Sequence, residues 1–283
     1  MRRRLFDRLF TVAAGAAAAL AVGVLLGVVG LVTARGAGAL SLPFLTEQVR
    51  SVGAEGGIFF QAVGTLILVA TAAAFAVPVA AATALGVALY APRSLRRPLE
   101  AALHALNGIP SIVFGLFGLA LFFQLLGLGK SWLSGGLLLG LMIVPTVSVA
   151  FLEKLRAIPA ATVEAATGLG LSRGALVTTV LLPQAASGLL TGTLLGLARA
   201  AGETAPIMFT AVIFAGATVP TGVVDSPVLA LPYHIFVMAQ DSFDPRVAEK
   251  VWGSAIVLVS LVFALALVAL PARLRIHEEA RRA

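Results

Sequence analysis

Six long apolar runs divide this sequence, and they restrict its fold more than any other feature. They cover about 9–33, 58–90, 103–126, 133–152, 185–217 and 252–270. A helix of about 20 apolar residues crosses the roughly 30 Å hydrocarbon core of a bilayer. Charged residues make up only 12% of the 283 residues, too few to cover the surface of a soluble protein. The sequence therefore predicts an all-α integral membrane protein with six transmembrane helices.

The first run follows four arginines, so it is interpreted either as a signal peptide cleaved near 37–39 or as a retained helix. The apolar part of a signal peptide has roughly 7–15 residues. This run has about 25. We therefore expect a retained transmembrane helix.

The positions of Lys and Arg predict which side of the membrane each loop faces. With the N-terminus inside, the inner segments carry fourteen basic residues and the outer segments carry five. The remaining one, Arg199, lies within the fifth run. Because short cytoplasmic loops are enriched in Lys and Arg, both termini are predicted to be cytoplasmic, and the two sides are called inner and outer in this sense. The basic residues flank apolar runs, so the net charge of +7 indicates contact with membrane lipid and no nucleic-acid partner.

Several kinds of chemistry are excluded by what the sequence lacks. It has no cysteine, which excludes disulfides, thiol catalysis and thiolate metal sites. Its three histidines are scattered without metal-ligand spacing. The segment 124–131 ends like a phosphate-binding loop, but its first position is Gln and it falls in a short outer connection. We expect no catalytic site, no metal and no bound cofactor in this chain.

The inner loop 153–185 contains the most distinctive pattern of the sequence. The pattern is Glu164, Ala165 and Ala166, then Gly170, Val180, and finally Leu182 with Pro183. Residues 164–169 are predicted to form a short helix that Gly170 ends in a left-handed conformation. Pro183 is predicted to start the next span. Such a helix suits docking into a socket on a soluble partner; the alternative is an amphipathic connector on the membrane surface.

A charged pair lies inside the fifth run. Arg199 and Glu203 are four residues apart and are predicted to share one helix face. Arg199 lies twelve residues after Ser187, about 18 Å along a helix and so near mid-bilayer. A charge there costs roughly 2.5–3.5 kcal/mol, which favours a polar pathway lined by Arg199, Glu203 and Thr204. The alternative is a neutralised pair that only packs the bundle. Gly202 and Pro206 are expected to loosen the helix beside the pair.

Small residues recur every fourth position just before this pair. They are Gly188, Gly192, Gly196 and Ala200. This spacing allows two helices to approach closely. The sequence leaves open whether the second helix belongs to the same subunit or to another.

The spacing of the inner-loop pattern resembles the cytoplasmic signature of permease subunits of bacterial ABC importers, with Val180 where Ile is usual. Two further strings, 107–118 and 231–236, together with 199–206, resemble the permeases of phosphate importers. Leu-Pro-x-x-Ile-aromatic at 231–236 is similar to the PstA type rather than the PstC type. The resemblance covers nearly the whole chain, most firmly about 57–270.

The resemblance implies the type I ABC importer transmembrane fold in the bacterial cytoplasmic membrane. It implies a first helix and outer loop at 1–56, a transmembrane domain at 57–272 and a cytoplasmic tail at 273–283. The implied partners are a PstC-type sister permease, two PstB-type cytoplasmic ATPase subunits and an outer PstS-type phosphate-binding protein. ATP and Mg²⁺ would be bound by the ATPase partner, which the inner loop would contact.

Three alternative functions remain at this stage. A sulfate or molybdate ABC permease would have the same architecture, and only the strings 199–206 and 231–236 argue against it. A proton-coupled carrier would use Glu203 as its proton site, but it leaves the pattern 164–183 unexplained. A structural membrane scaffold would have no use for a charged pair within a span.

Overall fold

The transmembrane helices of this chain form one bundle, as expected from its apolar runs. The computed structural model describes residues 2–50, 53, 55–216, 219–240 and 244–282. In these ranges five helical segments are long and apolar enough to cross a membrane, and a bent helix pair makes a sixth. Four of the five segments correspond to one helix each or begin with it: α1 (Arg2–Gly36), α3 (Phe59–Leu85), α6 (Trp132–Arg156) and α12 (Pro245–Arg282). The other segment begins with the short helix α8 (Arg173–Leu176) and continues to Gly202. The six-span prediction is confirmed with the bent pair counted as one span.

Short elements connect the spans. On the outer side α2 (Leu42–Thr46) precedes a two-stranded antiparallel hairpin, β1 (Val49–Arg50) and β2 (Glu55–Gly56), in which Val49 is paired with Gly56. The inner loop contains α7 (Ala160–Gly168). After α9 (Leu182–Gly202), α10 (Ala205–Thr210) and α11 (Leu231–Gln240) precede the last span.

Helices α3 and α6 form the centre of the bundle because small residues line their contact. Every fourth residue of α3 in one stripe is an alanine with no exposed surface: Ala72, Ala76, Ala80 and Ala84. On α6, a Cβ added at Gly140 would lie 2.8 Å from the ring of Phe75. Close approach of this kind drives association where lipid removes the hydrophobic effect between helices.

The small-residue stripe of α9 packs within the same chain. A Cβ at Gly192 would lie 2.8 Å from the Cβ of Ala150, and one at Gly196 would lie 3.1 Å from the Cβ of Ile143. Gly188 likewise faces Ala150 and Lys154. The question that the sequence left open is therefore answered: these residues bring α9 against α6 and are not free for a second subunit.

The third apolar run is not one straight span. Helix α4 (Arg93–Asn107) meets α5 (Ser111–Gly118) at an angle of 94°, and a π-helical segment, Leu119–Leu125, continues α5. The predicted span 103–126 therefore has the wrong start. Pro110 has no N–H to continue α4 and restricts the residue before it, so the helix ends at Asn107. Thr146 of α6 donates to Asn107 Oδ1 at 2.8 Å, which fixes the bend against the bundle.

The fifth span also differs from its prediction, because its continuous helix begins earlier and is interrupted after Gly202. The helical segment starts at Arg173 and continues through a π-helical turn, Val177–Leu181, into α9, where it stops at Gly202. Pro183 lies in the first turn of α9, directly after the π turn, as predicted for a proline at a helix start. The predicted end of the span, at 217, and the start of the next loop, at 218, lie outside the described residues.

Helix α1 contacts the bundle mainly near its outer end. A Cβ at Gly36 would lie within 2.7 Å of the backbone at Trp252 and Gly253, and Arg35 lies 5.4 Å from the Trp252 ring. The most apolar 18-residue window of α1 is 0% buried. Helix α1 is thus an apolar span whose sides face lipid or another subunit.

Candidate functional site

The inner loop presents a short helix through a left-handed turn. Helix α7 has nine residues, and three residues separate it from the end of α6. Gly170 follows it with φ +81°, as the sequence predicts for a glycine cap. Ser172 then caps α8, its hydroxyl accepting from the backbone N–H of Ala175. The turn at Gly170 separates two helical directions, so α7 projects from the inner end of the bundle.

The alanines of the loop do not form one smooth face. Ala166 is buried in a cluster with Leu155, Leu176 and other apolar residues, whereas Glu164 and Ala165 are exposed. Leu169, just after α7, is 82% exposed. Helix α7 is thus anchored on one side through Ala166 and offers a carboxylate and an apolar side chain on the other. Leu169 was not among the predicted contact residues, although a leucine beside a glycine cap is a visible signal in the sequence.

The last part of the inner-loop pattern, 180–183, packs against the bundle and does not form part of the exposed surface. Val180 and Leu182 pack against the same buried cluster at the inner ends of α3 and α6. Pro183 is exposed and lies in the first turn of α9. The pattern therefore divides into an exposed part, 164–170, and an anchoring part, 180–183.

The charged pair forms, but not for the reason that its spacing suggests. Arg199 Nε lies 3.2 Å from Glu203 Oε1. Glu203 has left the helix, with φ −75° and ψ 132°, because α9 ends at Gly202 and Pro206 lies in the first turn of α10. The two residues therefore do not share one helix face, and the predicted break beside the pair is confirmed. Thr204 lies at the cap position of α10, and its carbonyl accepts from the N–H of Met208.

Arg199 keeps donors available. Its side chain is 33% exposed and that of Glu203 is 16% exposed. Only Nε donates to Glu203; the two terminal nitrogens have no hydrogen-bond partner among the described residues. A planar guanidinium offers paired donors to an oxyanion. The arrangement can hold an anion at the terminal nitrogens while the carboxylate fixes the orientation of Arg199.

The position of the charged pair along the bundle follows from its neighbours on α6. Ala200 belongs to one buried cluster with Leu139 and Ile143. Leu139 lies seven residues after the start of α6, which is about 10 Å from its outer end at 1.5 Å per residue. Ile143, which faces Gly196 one turn before Ala200, lies about 16 Å from the same end. Arg199 therefore lies level with the outer half of α6, and its mid-bilayer depth stays a prediction.

Two contacts around α10 could not be seen in the sequence. A Cβ at Gly115 of α5 would lie 3.0 Å from the Ala205 carbonyl oxygen and 3.1 Å from the Cα of Pro206. On the other side, Lys130 Nζ donates to the Met208 carbonyl at 3.2 Å. The broken span and the outer connection therefore hold the short helix that follows the pair. The glycine-rich string 107–118 was a signal for the first contact; the second joins residues far apart in sequence.

The fold and these two regions define a class of protein, the membrane-spanning permease subunit of a binding-protein-dependent importer. The chain belongs to the family of binding-protein-dependent transport system inner membrane components, whose model matches residues 76–274. It is a multi-pass protein of the cytoplasmic membrane and not a catalytic subunit. The inward-facing MetNI methionine ABC transporter has a similar chain, with a TM-score of 0.59 at 17% identity, covering 84% of this chain and 99% of that one.

Relatives with similar sequences are found among the phosphate transport permeases within this family. The phosphate transport system permease protein PstA of Mycobacterium leprae is 30% identical over 268 residues, 93% of this chain and 86% of that protein. A probable PstA of Methanocaldococcus jannaschii is 29% identical over 271 residues, 93% and 92% of the two chains. A PstC of Pasteurella multocida is 32% identical but covers 54% of this chain and 56% of its own. The similarity is thus more extensive to PstA proteins than to this PstC, as the sequence predicts.

Proposed function

We propose that this chain is the permease subunit that carries inorganic phosphate across the bacterial cytoplasmic membrane in an ATP-driven importer. The observation that carries the proposal is the half-buried Arg199 at the end of α9, held through Nε by Glu203 with its terminal nitrogens unpaired among the described residues. A tetrahedral oxyanion matches those paired donors. The relatives named as phosphate permeases support phosphate as that oxyanion.

In this proposal Glu203 has two roles. Its charge orients the guanidinium, and it also weakens the local attraction for an anion, so the substrate can leave as well as arrive. Thr204 contributes a hydroxyl beside the break, next to the pair. These three residues form the part of the substrate pathway that this chain supplies.

The exposed half of the inner loop docks onto a cytoplasmic ATPase subunit. Glu164 and Leu169 provide the contact surface, and Ala166 ties any movement of α7 to the buried cluster at the inner ends of α3 and α6. ATP and Mg²⁺ are held by that partner, and this chain binds neither. The complex contains a PstC-type sister permease and two PstB-type ATPase subunits, and a PstS-type protein delivers phosphate from outside. The exposed sides of α1 offer surface for the sister permease.

Reconstitution tests the proposal directly. The chain is assembled with its sister permease and ATPase subunits in proteoliposomes, with the binding protein and radiolabelled phosphate outside and ATP inside. We expect phosphate uptake that requires ATP and the binding protein and that is not affected by a protonophore. Uptake of sulfate or molybdate in preference to phosphate would assign another oxyanion. Uptake that needs a proton gradient and no ATP would overturn the importer mechanism.

A further inference from the structure

A second cavity with an anion-binding character lies at the inner end of the bundle, away from Arg199. It has a volume of about 340 Å³ and lies between the ends of α3, α4, α6 and α7. Its aliphatic walls include Val87, Leu89, Val163 and Leu181, and two guanidinium groups, of Arg96 and Arg156, border it. An apolar pocket with a cationic border matches a molecule that has an anionic head and a hydrocarbon part.

The two arginines differ in how their charge is used. Arg156 forms an ion pair with Glu100 of α4. Arg96 donates Nε to the Ala91 carbonyl at 3.0 Å. Arg96 also attracts the Glu100 carboxylate electrostatically, but its two terminal nitrogens donate no hydrogen bond within the described part of the chain. A fixed guanidinium with two adjacent free nitrogens is suited to a bidentate contact with a phosphate group.

The cavity lies at the level where phospholipid headgroups are found. A π-helical turn, Gly86–Tyr90, continues α3, and α6 ends at Arg156, so both reach the predicted inner surface of the membrane there. Arg173 lies 5.6 Å from the Tyr90 ring, and Arg93 and Arg97 are exposed nearby on α4. Basic pockets between transmembrane helices on the cytoplasmic side bind anionic lipid headgroups.

We propose that this cavity binds an anionic phospholipid of the inner leaflet. The lipid phosphate contacts Arg96, and a hydrocarbon chain occupies the aliphatic part. Free inorganic phosphate shares the headgroup chemistry, but it has no apolar part that the walls would receive. Because Val163 and Glu164 of α7 also line the cavity, a bound lipid touches the helix that projects from the bundle. The site concerns lipid binding itself and does not depend on phosphate being the transported anion.

The test measures lipid bound to the full-length chain in its assembled complex. The complex is purified in phosphatidylcholine nanodiscs that contain a minor fraction of phosphatidylglycerol, and retained phosphatidylglycerol is counted by native mass spectrometry. Arg96→Gln should weaken retention at least about tenfold, the effect of losing a charge-assisted contact with the lipid phosphate. Arg97→Gln is the matched control, because Arg97 is the next residue of α4, is exposed and does not line the cavity. Equal loss in both variants would indicate general surface attraction and overturn the site.

A second variant separates lipid from free phosphate. Ala88→Leu fills the apolar part of the cavity without changing its charge. It should lower retention of phosphatidylglycerol as Arg96→Gln does, and millimolar inorganic phosphate should not displace the lipid. If Ala88→Leu retains the lipid fully, or if inorganic phosphate displaces it, the cavity is not a phospholipid site and the proposal is wrong.

Discussion

The inner loop and the break between α9 and α10 both interrupt regular helix, but with opposite results. The loop exposes its side chains, whereas the break keeps its charged side chains partly buried. In the loop, Gly170 adopts φ +81° and turns the chain so that α7 is displayed outward. At the break, Glu203 is extended and folds back to Arg199, so that both charges stay partly buried. The loop is shaped by the conformation of one residue. The break is shaped by the packing of α10 between α5 and α6.

This difference has energetic consequences. The exposed side chains of the loop contribute little to the stability of the bundle, so changes there should affect contact with a partner alone. The pair lies level with the outer half of α6 and is partly buried, so removing one partner leaves the other charge uncompensated. The cost is below the roughly 3–5 kcal/mol of a fully buried pair, because the Arg199 side chain is 33% exposed. We therefore expect the largest effects at the break and graded effects in the loop.

The largest effect should come from Arg199. Arg199→Ala should abolish phosphate uptake, and Arg199→Lys should retain little, because a point charge does not reproduce two parallel donors. Uptake of radiolabelled phosphate, normalised to assembled complex, measures both. Arg97→Ala serves as a control for general loss of positive charge, since Arg97 is exposed at the inner end of the bundle and lines neither site.

A double variant decides whether the pair is a pathway or only packing. Replacing a buried ion pair by apolar residues of similar size is often neutral for stability. Arg199→Met combined with Glu203→Leu should therefore assemble normally but transport nothing. Wild-type uptake by this variant would show that the pair only packs the bundle, and the substrate route would then have to be sought elsewhere.

A smaller effect is expected at Gly170. A valine there meets no neighbouring atom within 4 Å, so its only penalty is the left-handed backbone. That conformation costs an L residue about 1–2 kcal/mol, and we expect uptake and transport-linked ATP hydrolysis to fall about tenfold with normal amounts of membrane protein. Gly174→Val is the matched control: it also meets open space, but Gly174 is helical and lies in α8, outside the docking part 164–170. Unchanged coupling in Gly170→Val would contradict the docking role of α7.

A few-fold effect is expected at Leu169. Because this side chain is 82% exposed, Leu169→Ser should leave thermal stability unchanged and weaken only the contact with the ATPase. The affinity of the Leu169→Ser permease for the ATPase subunit should fall by a factor of about 3–10, the range for one apolar side chain at an interface. Leu195→Ser, at another exposed leucine on α9, should leave that affinity unchanged. Loss of stability in Leu169→Ser would mean that Leu169 supports the loop fold instead.

The sequence predicted the number of spans better than their ends. Apolar runs report burial in lipid, but they do not show where a helix bends or continues as a π turn. The bend after Asn107 had a local signal in Pro110, whereas the continuous helix through Pro183 had none, since it depends on the turn Val177–Leu181. Helix ends in this chain are decided by backbone adjustments that hydropathy does not record.

The candidate site shows the same limit. Gly170 was predictable because its conformation depends on glycine itself. The contact of Arg199 with Glu203 was also predicted, but from a helix that in fact ends at Gly202. The bond from Lys130 to Met208 joins residues 78 positions apart, and no spacing rule covers it. Local chemistry could be read from the sequence; long-range packing could not.

The proposed roles place α7 on the inner side of the membrane and the segment that follows the break on the outer side. Cysteine labelling tests this orientation with variants that are expected to have the smallest effect on transport. The chain has no cysteine, so single cysteines are the only targets. Thr221→Cys, exposed in the outer segment, should react with an impermeant thiol reagent added to intact cells. Ser94→Cys, exposed at the start of α4, should react only after the membrane is opened, because fourteen of the twenty basic residues lie on that side. Both variants should transport normally. Labelling of Ser94→Cys from outside would reverse the orientation, place α7 outside, and remove the ATPase as its partner.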